Sequence, residues 1–195
     1  MAYNDDAVFT AATGYIFTAP AGTKSPTPAA LADIDPENYG TTEGWVPLGH
    51  TSQGELPEFG FEGGDKEVRG TWQKKNLREV STETPVDYLI VRAQQVDAAT
   101  LALYYGANAA TEPGVFGVEN SESPALERAL FLLLVDGANR IGFHAPKASI
   151  RREESIALST DEFATLPLRA TFMKMTGQRL FDWILPHEIS ETETP

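Results

Sequence analysis

Three histidines are the first residues to consider for metal or acid–base chemistry, because imidazole is a common metal ligand and titrates near neutral pH. They stand far apart in the sequence, at His50, His144 and His187, and no His-Glu-x-x-His pattern is present. His144 follows the apolar Phe143 in a predicted strand, which favours a structural histidine over a metal ligand. The histidines therefore indicate no metal site.

Nucleophile, phosphate-binding and paired-carboxylate motifs give no catalytic site either. The segment Gly49–Gly54 (GHTSQG) has two residues between its first glycine and its serine, whereas a nucleophile elbow has one. The segment Gly60–Lys66 (GFEGGDK) lacks the Gly-Lys-Ser/Thr ending of a phosphate loop. An acid pair such as Glu153-Glu154 is expected by chance in a chain with 28 acidic residues. The sequence predicts no catalytic residue, no cofactor and no enzyme.

Residue types suited to partner binding gather in residues 50–67. This segment has four glycines between Gly54 and Gly64 and five acidic residues, so it predicts a long loop. Loops of this length inside compact domains are often functional. The side chains that could carry an inter-subunit contact are Leu56, Phe59, Phe61, Glu62 and Asp65. Two interpretations stay open: a disordered hairpin tip, or a loop that binds a partner.

An apolar strand at the centre of a sheet is the element around which the predicted fold is organised. Ala129–Val135 is a continuous apolar run bounded by Asp136-Gly137, a dipeptide typical of a β-hairpin turn. Arg140–Ala145 is the predicted return strand. A strand that is apolar on both faces must be covered on both faces, so we place Ala129–Val135 inside the sheet.

Most of the remaining pattern also predicts strands. Apolar residues mark strands at Gly14–Thr18 and Val86–Val96, and the most regular alternation runs through residues 164–172. The short strand Gly44–Gly49 contains Pro47, which cannot donate a ladder hydrogen bond and therefore indicates a sheet edge.

One short helix is predicted, at about Asp97–Tyr105. Asp97 is a good N-cap, and Gly106 ends the pattern. The predicted fold is therefore mainly β, a sandwich or barrel with one short helix and long loops. No linker divides the chain, which predicts a single domain over residues 1–195, with an N-terminal arm at residues 1–13 and a loose C-terminal tail at residues 186–195.

The composition excludes several classes of protein. The chain has 195 residues, no cysteine and a formal net charge of −13. Disulfides are thereby excluded, and nucleic-acid affinity is disfavoured because phosphate contacts need Lys and Arg. The longest apolar run is far shorter than the roughly 20 residues of a membrane helix. The N-terminus lacks the pattern of a signal peptide, which predicts synthesis in the cytoplasm.

Two N-terminal segments resemble a known family. They are Gly14–Thr23 (GYIFTAPAGT), followed by a proline-rich spacer, and Gly44–Leu56 (GWVPLGHTSQGEL), in which a Trp-containing strand ends in Leu-Gly before the long loop. The later order also fits: a strand to Val96, a short helix to Gly106, and strands that end in a face like that of Phe163–Phe172. The chain resembles the major tail protein of long-tailed, non-contractile bacteriophages, particularly those of actinobacterial hosts.

The resemblance implies a structural virion protein that assembles with itself. In the family, rings of subunits, usually hexameric, stack into a hollow tail tube through which DNA passes to the host without specific binding. Tape-measure, tail terminator and baseplate or tail-tip proteins are the implied partners; a cofactor and a membrane are not implied. The loop at residues 50–67 would reach a neighbouring ring. Deleting residues 51–67 is therefore expected to leave the monomer folded and to block stacking.

The resemblance also implies a role for the excess of acidic residues. Carboxylates that line the lumen would repel the DNA backbone, so that DNA slides without sticking. Screening limits such repulsion to about 8 Å at physiological salt, so only lumenal acids count. The sequence leaves the lumen-facing residues unassigned.

Two other functions fit the strand pattern. A carbohydrate-binding β-sandwich would use exposed aromatics such as Trp45, Trp72 and Trp183 as a platform, although so few tryptophans are more often core residues. Another phage part, such as a tail terminator or a head–tail connector, has a related fold that sequence distinguishes poorly. Glycan binding by a monomer would favour the first alternative.

Overall fold

A computed structural model describes residues 7–39, 44–119 and 125–186 of the chain. Residues 1–6 of the predicted arm and residues 187–195 of the predicted tail, including His187, lie outside the described residues. The elements in chain order are Thr13–Pro20 (β1), Pro28–Leu31 (α1), Val46–Pro47 (β2), Glu58–Glu62 (β3), Lys66–Arg69 (β4), Arg78–Ser81 (β5), Val86–Ala93 (β6), Ala98–Tyr105 (α2), Leu126–Asp136 (β7), Asn139–Arg152 (β8), Leu166–Phe172 (β9) and Asp182–Ile184 (β10).

Eight of the strands form one antiparallel sheet, and β4 and β5 form a separate two-stranded ribbon. The order across the main sheet is β2-β1-β7-β8-β9-β6-β3, and β10 pairs with β8 beside this path. Strand β8 is 14 residues long. It pairs with β10 through Gly142–His144 and with β9 through Ala148–Arg152, so it reaches across two parts of the fold. The mainly β prediction is confirmed.

The central hairpin is the one that the apolar run and its Asp-Gly turn predict. Strands β7 and β8 pair from Leu126↔Ile150 to Asp136↔Asn139, and the turn between them holds Gly137 at φ 59°. Gly137 is suited to this turn because a side chain would strain the backbone at positive φ. As expected, β7 lies inside the sheet, between β1 and β8.

Both faces of β7 are covered, by two different apolar clusters. Leu130 and Leu132 point into a larger core shared with β6, β8, β9 and α2. Phe131 and Leu133 point into a second core, which the segment around Leu31, Ile34 and Trp45 closes. Alternate residues of one strand thus bury side chains on opposite sides of the sheet, as the pleat requires.

The main sheet is curled, because residues from its two ends share the larger core. Ile16 on β1 and Leu89 on β6 belong to the same cluster although three strands separate them in the sheet. Phe143 on β8 joins the two sides: its ring lies 4.7 Å from that of Phe59 on β3 and 5.0 Å from that of Trp183 on β10. The barrel-like form of the prediction therefore rests on aromatic packing across the interior.

The two helices serve these cores. The N-cap of α2 is Asp97, as predicted, and its carboxylate accepts a 2.8 Å hydrogen bond from the Thr100 amide. Tyr104 donates a hydrogen bond to the Glu154 carbonyl at 2.5 Å, which ties α2 to the end of β8. The four-residue α1 is a second helix beyond the one predicted, and its buried Leu31 explains why it forms against the sheet.

Residues 50–67 were predicted to form a loop, but they contain a strand. Strand β3, Glu58–Glu62, pairs with β6 from Glu58↔Ile90 to Glu62↔Val86. Thr51 also bridges to Ala93 at the end of β6. The glycines and acids suggested a loop, but the ring of Phe59 packs on Phe143 and stabilises the paired conformation.

His144 is a buried polar side chain in the second core. Its Nε2 lies 3.0 Å from the Thr23 carbonyl oxygen, so the neutral ring donates from Nε2, and its ring stands edge-on to Trp45 at 5.9 Å. Nδ1 has no hydrogen-bond partner among the described residues. Burial lowers the pKa of His144 from its usual 6.5, and the hydrogen bond to Thr23 and the charge of Asp182 oppose this only in part.

We expect this histidine to make the fold less stable in mild acid. The unfolded chain takes up a proton near pH 6.5 that the native ring takes up only at lower pH, so stability falls as pH decreases from 6.5 toward the native pKa. Protonation of one such group lowers the free energy of unfolding by at most about 1.4 kcal/mol per pH unit. His144→Gln should flatten this part of a plot of melting temperature against pH. Equal slopes for both proteins between pH 7 and pH 5 would contradict the assignment.

Candidate assembly surface

The ribbon of β4 and β5 stands apart from the main sheet, and we call residues 65–82 the projecting hairpin. Its register runs from Lys66↔Ser81 to Arg69↔Arg78. Every residue of β4 is exposed, and Val80 is the only half-buried residue of β5. The hairpin is held mainly by its own ladder and by exposed ion pairs such as Lys66–Glu79 at 3.3 Å.

Such a ribbon gains little stability within the monomer. A two-stranded hairpin that packs on nothing is marginally stable in water, and an exposed ion pair contributes about 0–1 kcal/mol. A hairpin in which 17 of 18 residues are exposed is therefore expected to pack on another surface.

The tip of the hairpin combines an aromatic side chain with positive charge. Thr71 and Lys74 exchange backbone hydrogen bonds of 2.8 and 3.2 Å, which places Trp72 at the centre of a tight turn. The Trp72 side chain is 95% exposed. Residues 69–78 contain four basic residues and no acidic one, whereas the whole chain has 15 basic and 28 acidic residues.

The hairpin leaves the sheet next to a buried cation. Arg169 on β9 is 6% exposed, and its guanidinium lies 2.6 Å from Glu62 and 3.0 Å from Glu153. It also stacks 3.6 Å above the ring of Tyr88 on β6. Glu62 is the last residue of β3, so its ion pair with Arg169 joins the base of the projecting hairpin to β9. The stacking of Arg169 on Tyr88 joins the same cluster to β6.

An apolar cavity of about 280 Å³ opens between the two ends of the curled sheet. Its wall is mainly apolar, and it is lined by Ala11, Gly14, Ile16, Thr51, Leu56, Pro57, Phe59, Leu132, Leu134 and Trp183. No residue of the projecting hairpin is among these. The cavity and the hairpin are therefore two separate features of one subunit.

An acidic rim adjoins this cavity. Leu56, Pro57 and Phe59 also line a neighbouring open cleft, whose other side chains include three carboxylates and a single guanidinium: Glu55, Glu58, Glu154 and Arg92. Arg92 lies 2.9 Å from Glu55 and 2.8 Å from Glu154, which lowers the pKa of Glu154 through the hydrogen bond and the charge of Arg92. The rim therefore stays net negative at neutral pH.

The five residues predicted for inter-subunit contact fall in different places. Leu56 and Phe59 both line the cavity, and Phe61 is 70% exposed on β3. Glu62 is paired with Arg169 within the subunit. Asp65 lies at the base of the hairpin, where its carbonyl accepts hydrogen bonds from the amide and hydroxyl of Thr82.

The tip residues Trp72, Lys74 and Lys75 were missed as inter-subunit contacts by sequence reasoning, which named Trp72 only as part of a possible carbohydrate-binding platform. A signal was present. Gly70 and the polar run that follows lie between two short β patterns, which is typical of a hairpin turn. The three tryptophans do not form a platform, because Trp45 is fully buried and Trp183 packs on Phe143.

Two features are absent from residues 7–39, 44–119 and 125–186. No group of three or more His, Cys, Asp or Glu side chains there could hold a metal ion. None of the helices in that part of the chain has the length and apolar character needed to cross a membrane.

The comparisons with known proteins agree with one another. Residues 1–194 match a family model described as phage tail tube protein. The chain is 51% identical over 187 residues to the major tail protein Gp23 of Mycobacterium phage D29, which covers 94% of this chain and 93% of that protein. It is 48% identical over 198 residues to the major tail protein Gp23 of Mycobacterium phage L5, which covers 100% of this chain and 99% of that protein.

These matches cover the whole of the chain and support a structural, non-enzymatic role in the virion tail. The projecting hairpin and the apolar cavity are accordingly features of a subunit whose function is to associate with its own copies. The chain belongs to the phage tail tube protein family and is a structural subunit that assembles into the tail tube of the virion.

Proposed function

We propose that this chain forms rings of six subunits, and that these rings stack into the hollow tail tube of a long-tailed, non-contractile phage. The observation that carries the proposal is the projecting hairpin, an exposed ribbon that the monomer leaves unpacked. From the sequence, residues 50–67 were expected to contact a neighbouring ring. The projecting hairpin starts within the end of that segment, so we move this contact onto the hairpin. The tube needs no catalytic residue and no cofactor, and the chain acts as one tail-tube domain without enzymatic activity.

The tube would form a passage for DNA and a scaffold for other tail proteins. Carboxylates facing the lumen would keep the DNA backbone from binding, over the roughly 8 Å in which charge acts at physiological salt. A tape-measure protein inside the tube, a tail terminator at one end and baseplate or tail-tip proteins at the other are the proposed partners. The subunit would be made in the host cytoplasm and assembled there.

A concentration series of the purified protein tests this proposal. Light scattering and negative-stain electron microscopy on the same samples should show uniform rings at low concentration and hollow tubes of constant diameter at higher concentration. A protein that stays monomeric at every concentration, or that forms only irregular aggregates, would contradict it.

A further inference from the structure

We infer that Trp72 at the tip of the projecting hairpin inserts into the apolar cavity of a second copy of this chain, with Lys74 and Lys75 lying against the acidic rim of that cavity. This inference rests on the proposed function, since it names the receptor for the hairpin within the tube. The receptor is defined by Gly14, Leu56 and their neighbours in the cavity wall.

The tip has the properties of an anchor residue. Trp72 is 95% exposed, and aromatic residues that bury fully on association dominate the binding energy of protein interfaces. The turn between Thr71 and Lys74 is closed by two backbone hydrogen bonds, so the indole is presented on a fixed backbone. A turn that is already closed in the free subunit lowers the backbone entropy that binding would otherwise cost.

The cavity has the size and surface of a receptor for an aromatic ring. Its volume is about 280 Å³, and an apolar cavity of about 150 Å³ already accommodates benzene. Thr51 is the one lining residue with a side-chain hydroxyl, and the others offer apolar side chains or glycine. Burying an indole there removes apolar surface of both copies from water, which is the main driving force of association.

Charge selects the hairpin tip over other exposed apolar groups. Leu158 and Phe163 are each 83% exposed, but the loop that carries them also carries Asp161 and Glu162. An acidic rim would repel that loop and attract a tip with four basic residues. Lys74 and Lys75 have no ion pair closer than 4 Å to an acid within the described residues and are available for a partner.

The contact joins two different surfaces and therefore repeats. The tip and the cavity lie on separate parts of one molecule, so their contact is heterologous. Such a contact repeats from copy to copy unless the rotation between copies closes them into a ring. Each subunit would offer a tip to the copy on one side and a cavity to the copy on the other. This arrangement can extend a stack of rings without limit.

Two single substitutions test the two halves of this contact. Trp72→Ala removes the indole that inserts into the cavity. Gly14→Phe fills the receptor from its own wall, where an added Cβ would meet Leu134 Cδ2 at 3.4 Å and Leu133 O at 3.7 Å, so the wall has room for it. We expect each to raise the protein concentration needed for tube formation at least about tenfold. Phe163→Ala, which removes another highly exposed aromatic ring that lies outside both the hairpin and the cavity, is the control and should assemble as the wild-type protein does.

Mixing the two variants gives the decisive measurement. Trp72→Ala subunits keep an intact cavity and Gly14→Phe subunits keep an intact tip, so each can make the contact in one direction only. A 1:1 mixture should sediment as complexes larger than either variant alone, without growing into long tubes. Mixtures that sediment as the sum of the separate variants would overturn the inference.

A charge exchange tests the role of the rim. Lys74→Glu combined with Lys75→Glu should block tube formation, and adding Glu55→Lys and Glu58→Lys to the same chain should restore it. Failure of the rim substitutions to restore assembly would overturn the assignment of the acidic rim. If the wild-type protein and the Trp72→Ala variant form equally long tubes, the inference is overturned and the proposed function stands. If the wild-type protein never assembles, the proposed function is overturned as well.

Discussion

A variant that lacks residues 65–82 should fold as the wild-type chain does and should form no tubes. The deletion leaves five residues, Gly63, Gly64, Glu83, Thr84 and Pro85, between Glu62 and Val86. Those two residues face each other in the β3–β6 ladder, so the remaining segment is a five-residue hairpin connection, a common length. No core residue is removed, because the hairpin contributes to neither apolar cluster.

Thermal unfolding followed by circular dichroism measures the effect on folding. Electron microscopy at a concentration at which the wild-type protein forms tubes measures the effect on assembly. We expect a melting temperature within a few degrees of wild type, and monomers or single rings in place of tubes. Tubes of full length from the deletion variant would show that the hairpin does not join the rings.

The earlier expectation that deleting residues 51–67 would leave a folded monomer is wrong in light of the structure. That deletion removes β3 and with it Phe59, whose ring packs 4.7 Å from that of Phe143. It also exposes the edge of β6 and leaves Arg169 without Glu62. Loss of assembly in such a variant would follow from damage to the fold and would say nothing about stacking.

Phe143→Ala should cost about 3–5 kcal/mol of unfolding free energy, the largest effect expected of a single substitution in the main core. The Phe143 side chain is almost fully buried and contacts the rings of four other aromatic residues: Phe59, Phe172, Phe181 and Trp183. These come from three strands and from the segment before β10. Removing the ring leaves a cavity where the two ends of the curled sheet meet.

Urea denaturation of the monomer measures this cost, with Phe61→Ala as the matched control. Phe61 loses the same atoms but is 70% exposed, so its substitution should change the unfolding free energy by no more than about 0.5 kcal/mol. Similar losses for the two variants would mean that Phe143 does not hold the curled sheet together.

Local signals in the sequence predicted the central part of the fold well. The Asp136-Gly137 turn, the apolar run before it and the alternation in residues 164–172 each depend on neighbours in the chain, and all three appear in the structure. The same holds for α2, whose cap at Asp97 and stop at Gly106 are local features. Pro47 marked the edge strand β2 for a similar reason.

Strand β3 could not be predicted from local pattern because its stability is nonlocal. Its sequence, EFGFE, has acids and a glycine that are typical of a loop, and Gly60 is needed because the ring of Tyr88 occupies the space of a Cβ at 2.5 Å. That close approach arises only once β3 lies beside β6. The contact with Phe143 likewise joins residues far apart in the sequence.

The candidate site was harder still to predict. The cavity combines residues from the chain before and within β1, from the segment before β3, from β3 itself, from β7 and from β10. Residue types alone picked out Leu56 and Phe59 on its wall, but no sequence pattern relates them to Gly14 or Leu134. The exposure of Trp72 is also a tertiary property, since it depends on the hairpin packing on no other part of the described chain.

A cryo-electron microscopy reconstruction of the assembled tube tests most directly the claim that the projecting hairpin joins one ring to the next. We predict that the hairpin of each subunit crosses the boundary between rings and lies against a subunit of the adjacent ring, with residues 65–82 buried. A tube in which these hairpins point outward into solvent, with the rings joined by other elements, would contradict the claim.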